Sequence, residues 1–244
     1  MASSEQHILS AFDRDLEALQ AHFLKLSGMA EQAMTEAAKA LENLDITSAD
    51  KVIATDKAID ELEEFIQMEA ASLIARRAPT ASDLRRVLAV MRAAHSLERV
   101  GDYAKNVAKR TRVLPRSSPL DGHAGTIRRM TTLVTRMLDE GTRALVQKDA
   151  QLAEAVRKRD IDIDQMYNTL FRSLFTYMME SPTNIGPAMH LHFIAKNIER
   201  AGDHATSIAE QALYLATGLM PSAPRPKAGI ESHGPGTTGQ PNIK

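Results

Sequence analysis

The fold of this chain is decided by two copies of one segment. The first copy is Leu97-Glu-Arg-Val-Gly-Asp-Tyr-Ala-Lys-Asn-Val-Ala-Lys-Arg110, and the second is Ile198-Glu-Arg-Ala-Gly-Asp-His-Ala-Thr-Ser-Ile-Ala-Glu-Gln211. The copies align at an offset of 101 residues (198 − 97), and six of their fourteen positions are identical. Both carry Glu-Arg-x-Gly-Asp within an apolar pattern of helical period. Self-similarity of this kind predicts an internally duplicated helical protein.

The duplication extends upstream of both segments. Pro79-Thr80 matches Pro182-Thr183, and the acidic pair Asp56-x-x-x-Asp60 matches Asp160-x-x-x-Asp164. Proline and glycine cluster at a few breaks, and the stretches between them show the helical period without a convincing strand alternation. The sequence therefore predicts an all-α protein of two tandem, duplicated three-helix bundles.

Six long helices are predicted between the breaks. They span Glu5–Asn43, Ser48–Ala75, Thr80–Thr111, Ala124–Gln147, Asp149–Glu180 and Pro187–Thr217. We expect the first bundle within residues 1–115 and the second within residues 116–218. Residues 219–244 hold five of the ten prolines in little apolar company, which predicts a disordered C-terminal tail.

Composition and charge narrow the class of protein. The chain is 43% hydrophobic and only 4% aromatic, which suits helices packed through small and aliphatic side chains. Thirty basic residues against thirty-one acidic ones leave a net charge of −1, so no nucleic-acid partner is expected. The absence of cysteine excludes disulfides and thiolate metal sites. The N-terminal residues do not resemble a secretion signal and no apolar run approaches the ~20 residues of a membrane helix, so we expect a cytoplasmic protein.

The acidic residues of the repeated segment lie beside the apolar seam of a helix. In the third predicted helix this seam consists of Val87, Val90, Ala94, Leu97, Gly101, Ala104 and Ala108. Glu98 and Asp102 are its neighbours, so we expect them to be half-buried. Residues four apart share one helix face, and two carboxylates side by side are destabilising unless a cation joins them. Glycine inside a helix costs about 1 kcal/mol relative to alanine, so Gly101 and Gly202 indicate close helix packing.

Two acidic pairs in each half are predicted to meet across neighbouring helices. Position 58, midway between Asp56 and Asp60, and position 100, midway between Glu98 and Asp102, each lie 21 residues from Pro79. Helices joined by a short turn run antiparallel with the same rise per residue, so the two pairs come level. In the second half, positions 162 and 201 lie 20 and 19 residues from position 182, so the same convergence follows.

Each group of four carboxylates is a candidate metal site. Oxygen ligands without thiolate suit Mg²⁺ or Mn²⁺, carboxylate-rich bundles also hold iron, and zinc is a further alternative, so the ion is divalent or trivalent. A rival interpretation makes these acids ion-pair partners of lysine and arginine in a metal-free helical scaffold or adaptor. A di-iron enzyme needs Glu-x-x-His pairs, and none of the eight histidines has glutamate three residues before it. We therefore expect no enzymatic activity.

Several stretches of the sequence resemble the PhoU family. They are Asp56-Lys-Ala-Ile-Asp60, Ala75-Arg-Arg-Ala-Pro-Thr-Ala-Ser-Asp-Leu-Arg85, Glu98-Arg-Val-Gly-Asp102, Asn197-Ile-Glu-Arg-Ala-Gly-Asp-His-Ala205 and Tyr214-Leu-Ala-Thr-Gly218. The resemblance implies two similar three-helix bundles with multinuclear metal clusters on their surface. It also implies a protein that represses phosphate uptake. Such a protein links the ATPase subunit of a phosphate ABC transporter to a phosphate-sensing histidine kinase. Such a protein reaches the membrane only through its partners, and a homodimer is a candidate assembly.

Carried over residue by residue, the resemblance assigns eight metal ligands. They are Asp56, Asp60, Glu98 and Asp102 in the first half, and Asp160, Asp164, Glu199 and Asp203 in the second. Arg99, Arg200, Asn106 and Ser207 are further candidates for ligands or supporting groups. Ser207 stands where the first repeat has Asn106 and where the family often has asparagine, which implies a weaker or differently solvated second site.

Overall fold

A computed structural model describes residues 2–115 and 122–221, with side chains from residue 12 onward. Within these ranges the chain forms six α-helices, one 3₁₀ helix and no strand, which confirms the all-α prediction. The helices are α1 Ala2–Asn43, α2 Ile46–Arg77, α3 Ala81–Thr111, α4 His123–Gln147, α5 Ala150–Glu180 and α6 Ile185–Thr217, with the 3₁₀ helix at Pro182–Asn184. The segment 116–121 and most of the predicted tail, residues 222–244, lie outside the described residues.

The turn that opens the second helix of each half is also duplicated. Leu44 and Lys148 both have positive φ, 48° and 55°, although neither is glycine. The next residue in each case is an aspartate, Asp45 or Asp149, whose carboxylate accepts a hydrogen bond from the backbone N–H three residues later, at 3.1 Å and 3.0 Å. The residue with positive φ ends one helix, and the aspartate after it is the N-cap that starts the next. Their offset of 104 (149 − 45) is the one that relates Asp56 to Asp160, so the repeat includes these turns.

Each half is a three-helix bundle, and the two bundles pack against each other. Helices α1, α2 and α3 are in mutual contact, as are α4, α5 and α6, while α3 packs on α6 and α1 on α4. Tyr103 of α3 and His204 of α6 occupy equivalent positions of the repeat, and their Oη and Nε2 atoms are 3.4 Å apart. The repeated helices therefore face each other about an approximate twofold axis. The buried apolar side chains form one continuous core, and the domain boundaries at residues 115 and 218 stay a prediction.

The repeat glycines let the paired helices approach closely, as the sequence indicates. A Cβ atom added at Gly101 would lie 3.0 Å from both Cδ1 and Cγ2 of Ile59, which is fully buried. At Gly202 the nearest atom, Cγ2 of Ile163, would be 3.5 Å away, an ordinary van der Waals distance. Helices α2 and α3 are therefore packed more tightly at the repeat motif than α5 and α6.

This difference predicts opposite effects for two matched substitutions. Gly101→Ala should lower the free energy of unfolding by about 1 kcal/mol, because displacing a buried β-branched side chain costs more than the gain in helix propensity. Gly202→Ala has room for its methyl group and should raise the free energy of unfolding by up to about 1 kcal/mol. Urea unfolding of both variants in chelator measures these changes. Equal stability of the two variants would show that the close approach at Gly101 has no energetic consequence.

Candidate functional site

The acidic pairs of the first half meet across the α2/α3 interface. Lys105 of α3 donates a hydrogen bond to Asp56 of α2, and its Nζ also lies 3.6 Å from Oδ1 of Asp102 on its own helix. Burial first, and then the charges of Asp56 and Asp102, raise the pKa of Asp60 above its ordinary value, against the opposing effect of Lys105. The predicted level placement of these pairs is therefore confirmed.

Glu98 has a strongly raised pKa within this cluster. Burial and the charge of Asp102 raise the pKa of Glu98 to about 7, Arg99 opposes the shift, and Asp60 and Glu63 add to it. Glu98 is half-buried beside the core seam, as its position in the repeat predicts. A carboxyl group with such a pKa is partly protonated at neutral pH, and a cation that joins the cluster favours its ionised form.

Glu63 is a member of the cluster that the sequence analysis did not select. It lies seven residues after Asp56 and three after Asp60, so all three acids share one face of α2. Its Oε1 accepts a hydrogen bond from Gln67 at 2.8 Å and lies 3.9 Å from Nδ1 of His95. The same imidazole nitrogen is 3.7 Å from Oε2 of Glu98. The spacing of 4 and 3 residues after Asp56 was the available signal.

The cluster carries more negative charge than its own cations neutralise. Asp56, Asp60, Glu63, Glu98 and Asp102 form a group of five carboxylates. Two cationic side chains contact this group, Lys105 and Arg99, and Nη1 of Arg99 lies 2.5 Å from Oδ2 of Asp102. Arg99 is therefore a carboxylate partner. One oxygen, Oδ1 of Asp56, is buried without a hydrogen-bond partner. An excess of hard oxygen donors with an unsatisfied buried oxygen fits a hard multivalent cation.

The side chains are not arranged as a preformed metal cage. Within residues 12–115 and 122–221, no group of three or more histidine, aspartate or glutamate side chains stands in a metal-binding geometry. In the first half, Lys105 and Arg99 occupy carboxylate oxygens that an ion would use. An ion that binds these carboxylates has to displace both cationic groups, which swing on long flexible side chains.

The acids of the second half also converge. Burial raises the pKa of Glu199, Lys196 opposes the shift, and the charges of Asp203 and Asp164 add to it. Oδ1 of Asp160 lies 3.7 Å from the position that a Cβ atom would take at Gly202. The four predicted acids therefore lie together at the α5/α6 interface, as their counterparts do between α2 and α3.

Two substitutions change the side chains around the second cluster. Tyr167 occupies the position of Glu63 (63 + 104), and Lys196 occupies that of His95 (95 + 101). Nζ of Lys196 lies 2.7 Å from Oε2 of Glu199 and 5.1 Å from the centre of the Tyr167 ring. The second half therefore has one carboxylate fewer than the first. Lys196 takes over the role of Lys105 as the lysine that pairs with the cluster, because Thr206 stands at the position of Lys105.

The remaining candidates have mixed placements. Asn106 is exposed and lines a cleft between α3 and α6, together with Arg200. Ser207 donates a hydrogen bond to the backbone oxygen of Asp203 at 3.0 Å. Arg200 lines that cleft and forms no ion pair with a side chain in the described ranges, unlike Arg99, which pairs with Asp102. Whether Asn106 and Ser207 act as ligands stays a prediction.

Comparison with known proteins places the chain in a family. The PhoU domain matches it twice, at residues 23–111 and 127–212. The chain belongs to the PhoU family. Each of the two PhoU domain matches contains one acidic cluster and one Glu-Arg-x-Gly-Asp motif. Each three-helix unit of this PhoU family member therefore corresponds to one PhoU domain.

Similar proteins match this PhoU family member along almost their whole length. A Rhizobium meliloti protein named phosphate-specific transport system accessory protein PhoU homolog is 43% identical over 94% of this chain and 97% of its own. A Xylella fastidiosa protein of the same name is 40% identical over 93% of each chain. The crystal structure of PhoU from Pseudomonas aeruginosa has a TM-score of 0.82 at 35% identity, covering 85% of this chain and 100% of its own. The phosphate transport system regulatory protein PhoU from Streptococcus pneumoniae has a TM-score of 0.80 at 28% identity, covering 87% and 100%.

No helix of this PhoU family member, within the ranges described, combines the length and the apolar character needed to cross a bilayer.

Proposed function

We propose that this chain represses high-affinity phosphate uptake and phosphate-responsive signalling. The proposal rests on the double PhoU domain match, together with relatives named as accessory proteins of the phosphate-specific transport system. In this function the chain acts in the cytoplasm between the ATPase subunit of a phosphate ABC transporter and a phosphate-sensing histidine kinase, without catalysing a reaction itself. Deletion of the gene, followed by measurement of phosphate-starvation gene expression in phosphate-rich medium, tests it.

The acidic clusters are proposed as cation sites that join the paired helices of each half. In the first half the ligands are Asp56, Asp60, Glu63, Glu98 and Asp102, of which Glu63 is added on the structure. In the second half they are Asp160, Asp164, Glu199 and Asp203. A bound Mg²⁺, Mn²⁺, iron or zinc ion supplies positive charge that offsets the repulsion among these carboxylates. Occupancy therefore stiffens the α2/α3 and α5/α6 pairs.

The first cluster is proposed as the stronger site. It offers five carboxylates and the imidazole of His95 at its rim, whereas the second cluster offers four carboxylates and has Lys196 in place of that imidazole. In each cluster a multivalent ion has to compete with a lysine, Lys105 or Lys196, so the additional carboxylate gives the first cluster the higher affinity. Asymmetric affinity lets one half keep its ion while the other responds to the ion concentration.

The raised pKa of Glu98 predicts how the stability of the metal-free protein depends on pH. Its pKa is about 7 in the folded chain against an ordinary value of 4.5, so between these values the folded state keeps a proton that the unfolded state has lost. The free energy of unfolding should therefore fall as pH rises from about 4.5 to about 7 and then level off. Thermal melting of the chelator-treated protein at pH 5, 6, 7 and 8 measures this dependence.

Glu98→Gln is the control for this pH profile. The amide keeps the shape of the side chain and does not titrate, so the decline in stability between pH 5 and pH 7 should be reduced in the variant. The same profile in wild type and Glu98→Gln would show that Glu98 does not carry the dependence.

A further inference from the structure

The second half exposes a strip of large apolar side chains along α5 and α6. We call it the α5/α6 strip, and it consists of Phe171, Phe175, Met179, Ile185, Met189 and Phe193. Phe175 is 55% exposed and Met179 is 75% exposed. The ring centres of Phe171 and Phe175 are 6.5 Å apart, and that of Phe171 is 5.2 Å from His192 on α6. The members on α5 and on α6 therefore form one surface across the helix pair.

The bundle fold itself does not require the part of this strip that α5 contributes. The positions equivalent to Phe171, Phe175 and Met179 in the first half, 104 residues earlier, are Gln67, Ala71 and Ala75. Buried positions of the two helices correspond, since Val52, Ile59 and Ile66 match Val156, Ile163 and Leu170, all of them in the core. The two halves thus share a packed face and differ on the exposed face of this helix, whereas the α6 members Ile185 and Met189 correspond to the partly buried Leu84 and Leu88. A contiguous exposed apolar surface of this kind is typical of a binding site.

A cationic cleft borders the strip where α6 meets α3. The cleft has a volume of about 490 Å³, and no carboxylate lines it. Lys109, Arg110, Lys196 and Arg200 are its cations, and the guanidinium of Arg110 stacks over the ring of Phe193 at 4.3 Å. Lys109, Arg110 and Arg200 make no ion pair with any described side chain. Phe193 belongs to both features, so the apolar strip and the cationic cleft are continuous.

We propose that the α5/α6 strip and the cationic cleft together bind an acidic amphipathic helix of a partner protein. The apolar face of such a helix covers the strip, and its carboxylates meet the unpaired cations of the cleft. This inference rests on the function proposed above in one respect, namely that the chain has a protein partner.

Two other occupants fit the charges less well. The strip itself contains no carboxylate, so a second copy of the chain seated on it through the same strip supplies no acidic face to the cations of the cleft. The C-terminal residues 222–244 carry Arg225, Lys227 and Lys244 against the single acid Glu231, so this segment is basic and does not complement the cleft.

Binding of two synthetic helical peptides tests the proposal. Both present the same leucine face, and one carries glutamate while the other carries lysine on the flanking positions. Fluorescence anisotropy with the full chain should show binding of the glutamate peptide that weakens with salt, and no binding of the lysine peptide. Phe175→Ser should lower the affinity for the glutamate peptide at least about tenfold, as loss of an aromatic anchor does. Arg110→Gln combined with Arg200→Gln should lower it several-fold and flatten the salt dependence.

Met68→Gln is the matched control, because Met68 is 58% exposed on α2 of the first half. This variant should bind the glutamate peptide as wild type does, and unchanged melting of all variants shows that they fold. The proposal is overturned if the glutamate peptide does not bind, if it binds Phe175→Ser as tightly as wild type, or if the lysine peptide binds equally well. It is also overturned if wild type is a dimer in sedimentation and Phe175→Ser is a monomer. The two proposals can fail separately. If the glutamate peptide binds as expected but a deletion strain regulates phosphate normally, the regulatory function is refuted and the binding surface is still supported.

Discussion

A strain that lacks this protein should express its phosphate-starvation genes at a high level in phosphate-rich medium. If the chain restrains the transporter and the kinase, its loss leaves both active although phosphate is plentiful. We expect reporter expression at least about tenfold above wild type. This factor corresponds to a shift of about 1.4 kcal/mol in the equilibrium between the inactive and the active state of the signalling system. Phosphate uptake measured under the same conditions should rise as well.

Complementation separates this effect from damage to neighbouring genes. A plasmid that supplies the wild-type chain should return reporter expression to the wild-type level. Unchanged reporter expression and unchanged uptake in the deletion strain would contradict the proposed function, whatever the chain binds in solution.

Replacing Glu98 with glutamine and Asp102 with asparagine should remove most of the metal bound by the first half. The two amides keep the shape of the side chains but delete two of the five carboxylates of the cluster, and Arg99 and Lys105 then neutralise most of the remaining charge. A hard cation has little affinity for such a site. The metal content of the double variant, purified without chelator, measures the loss.

Glu199→Gln combined with Asp203→Asn is the matched variant in the second half. The two clusters share no ligand, so their effects on metal content should be nearly additive. Because the first cluster has one carboxylate more, its variant should lose the larger share of the metal. A metal-free scaffold predicts a different pattern, in which both double variants are as stable as wild type or more stable, since only repulsion and weak ion pairs are removed. Equal metal content in wild type and in both variants would contradict the ligand assignment.

Much of this architecture follows from the repeat alone. The offset of 101 residues and the equal distances to Pro79 predict that Asp60 and Glu98 approach each other, and the contribution of Asp60 to the raised pKa of Glu98 agrees with this. Helical rise is uniform, so counting residues from a tight turn places side chains on facing helices. Gly101 also has the packing role that its position in the seam predicts.

Features that depend on side-chain direction were not predictable in the same way. Glu63 falls outside the four-residue spacing that defines the motif, although it lies on the same helix face as Asp56 and Asp60. Arg200 matches Arg99 in the repeat, yet it lines the α3/α6 cleft, because a long flexible side chain has many rotamers of similar energy. The α5/α6 strip is also hidden in the sequence, since an exposed Phe175 and a buried Leu174 look alike until the helix is oriented.

The metal content of the wild-type protein tests the central claim most directly. The protein is purified without chelator, its bound metal is measured by mass spectrometry, and its melting is followed with and without chelator. The account predicts Mg²⁺, Mn²⁺, iron or zinc bound at one or more ions per chain, together with a lower melting temperature in chelator because the carboxylates of Asp56, Asp60, Glu98 and Asp102 then repel one another. No metal above background and a melting temperature unchanged by chelator would contradict it.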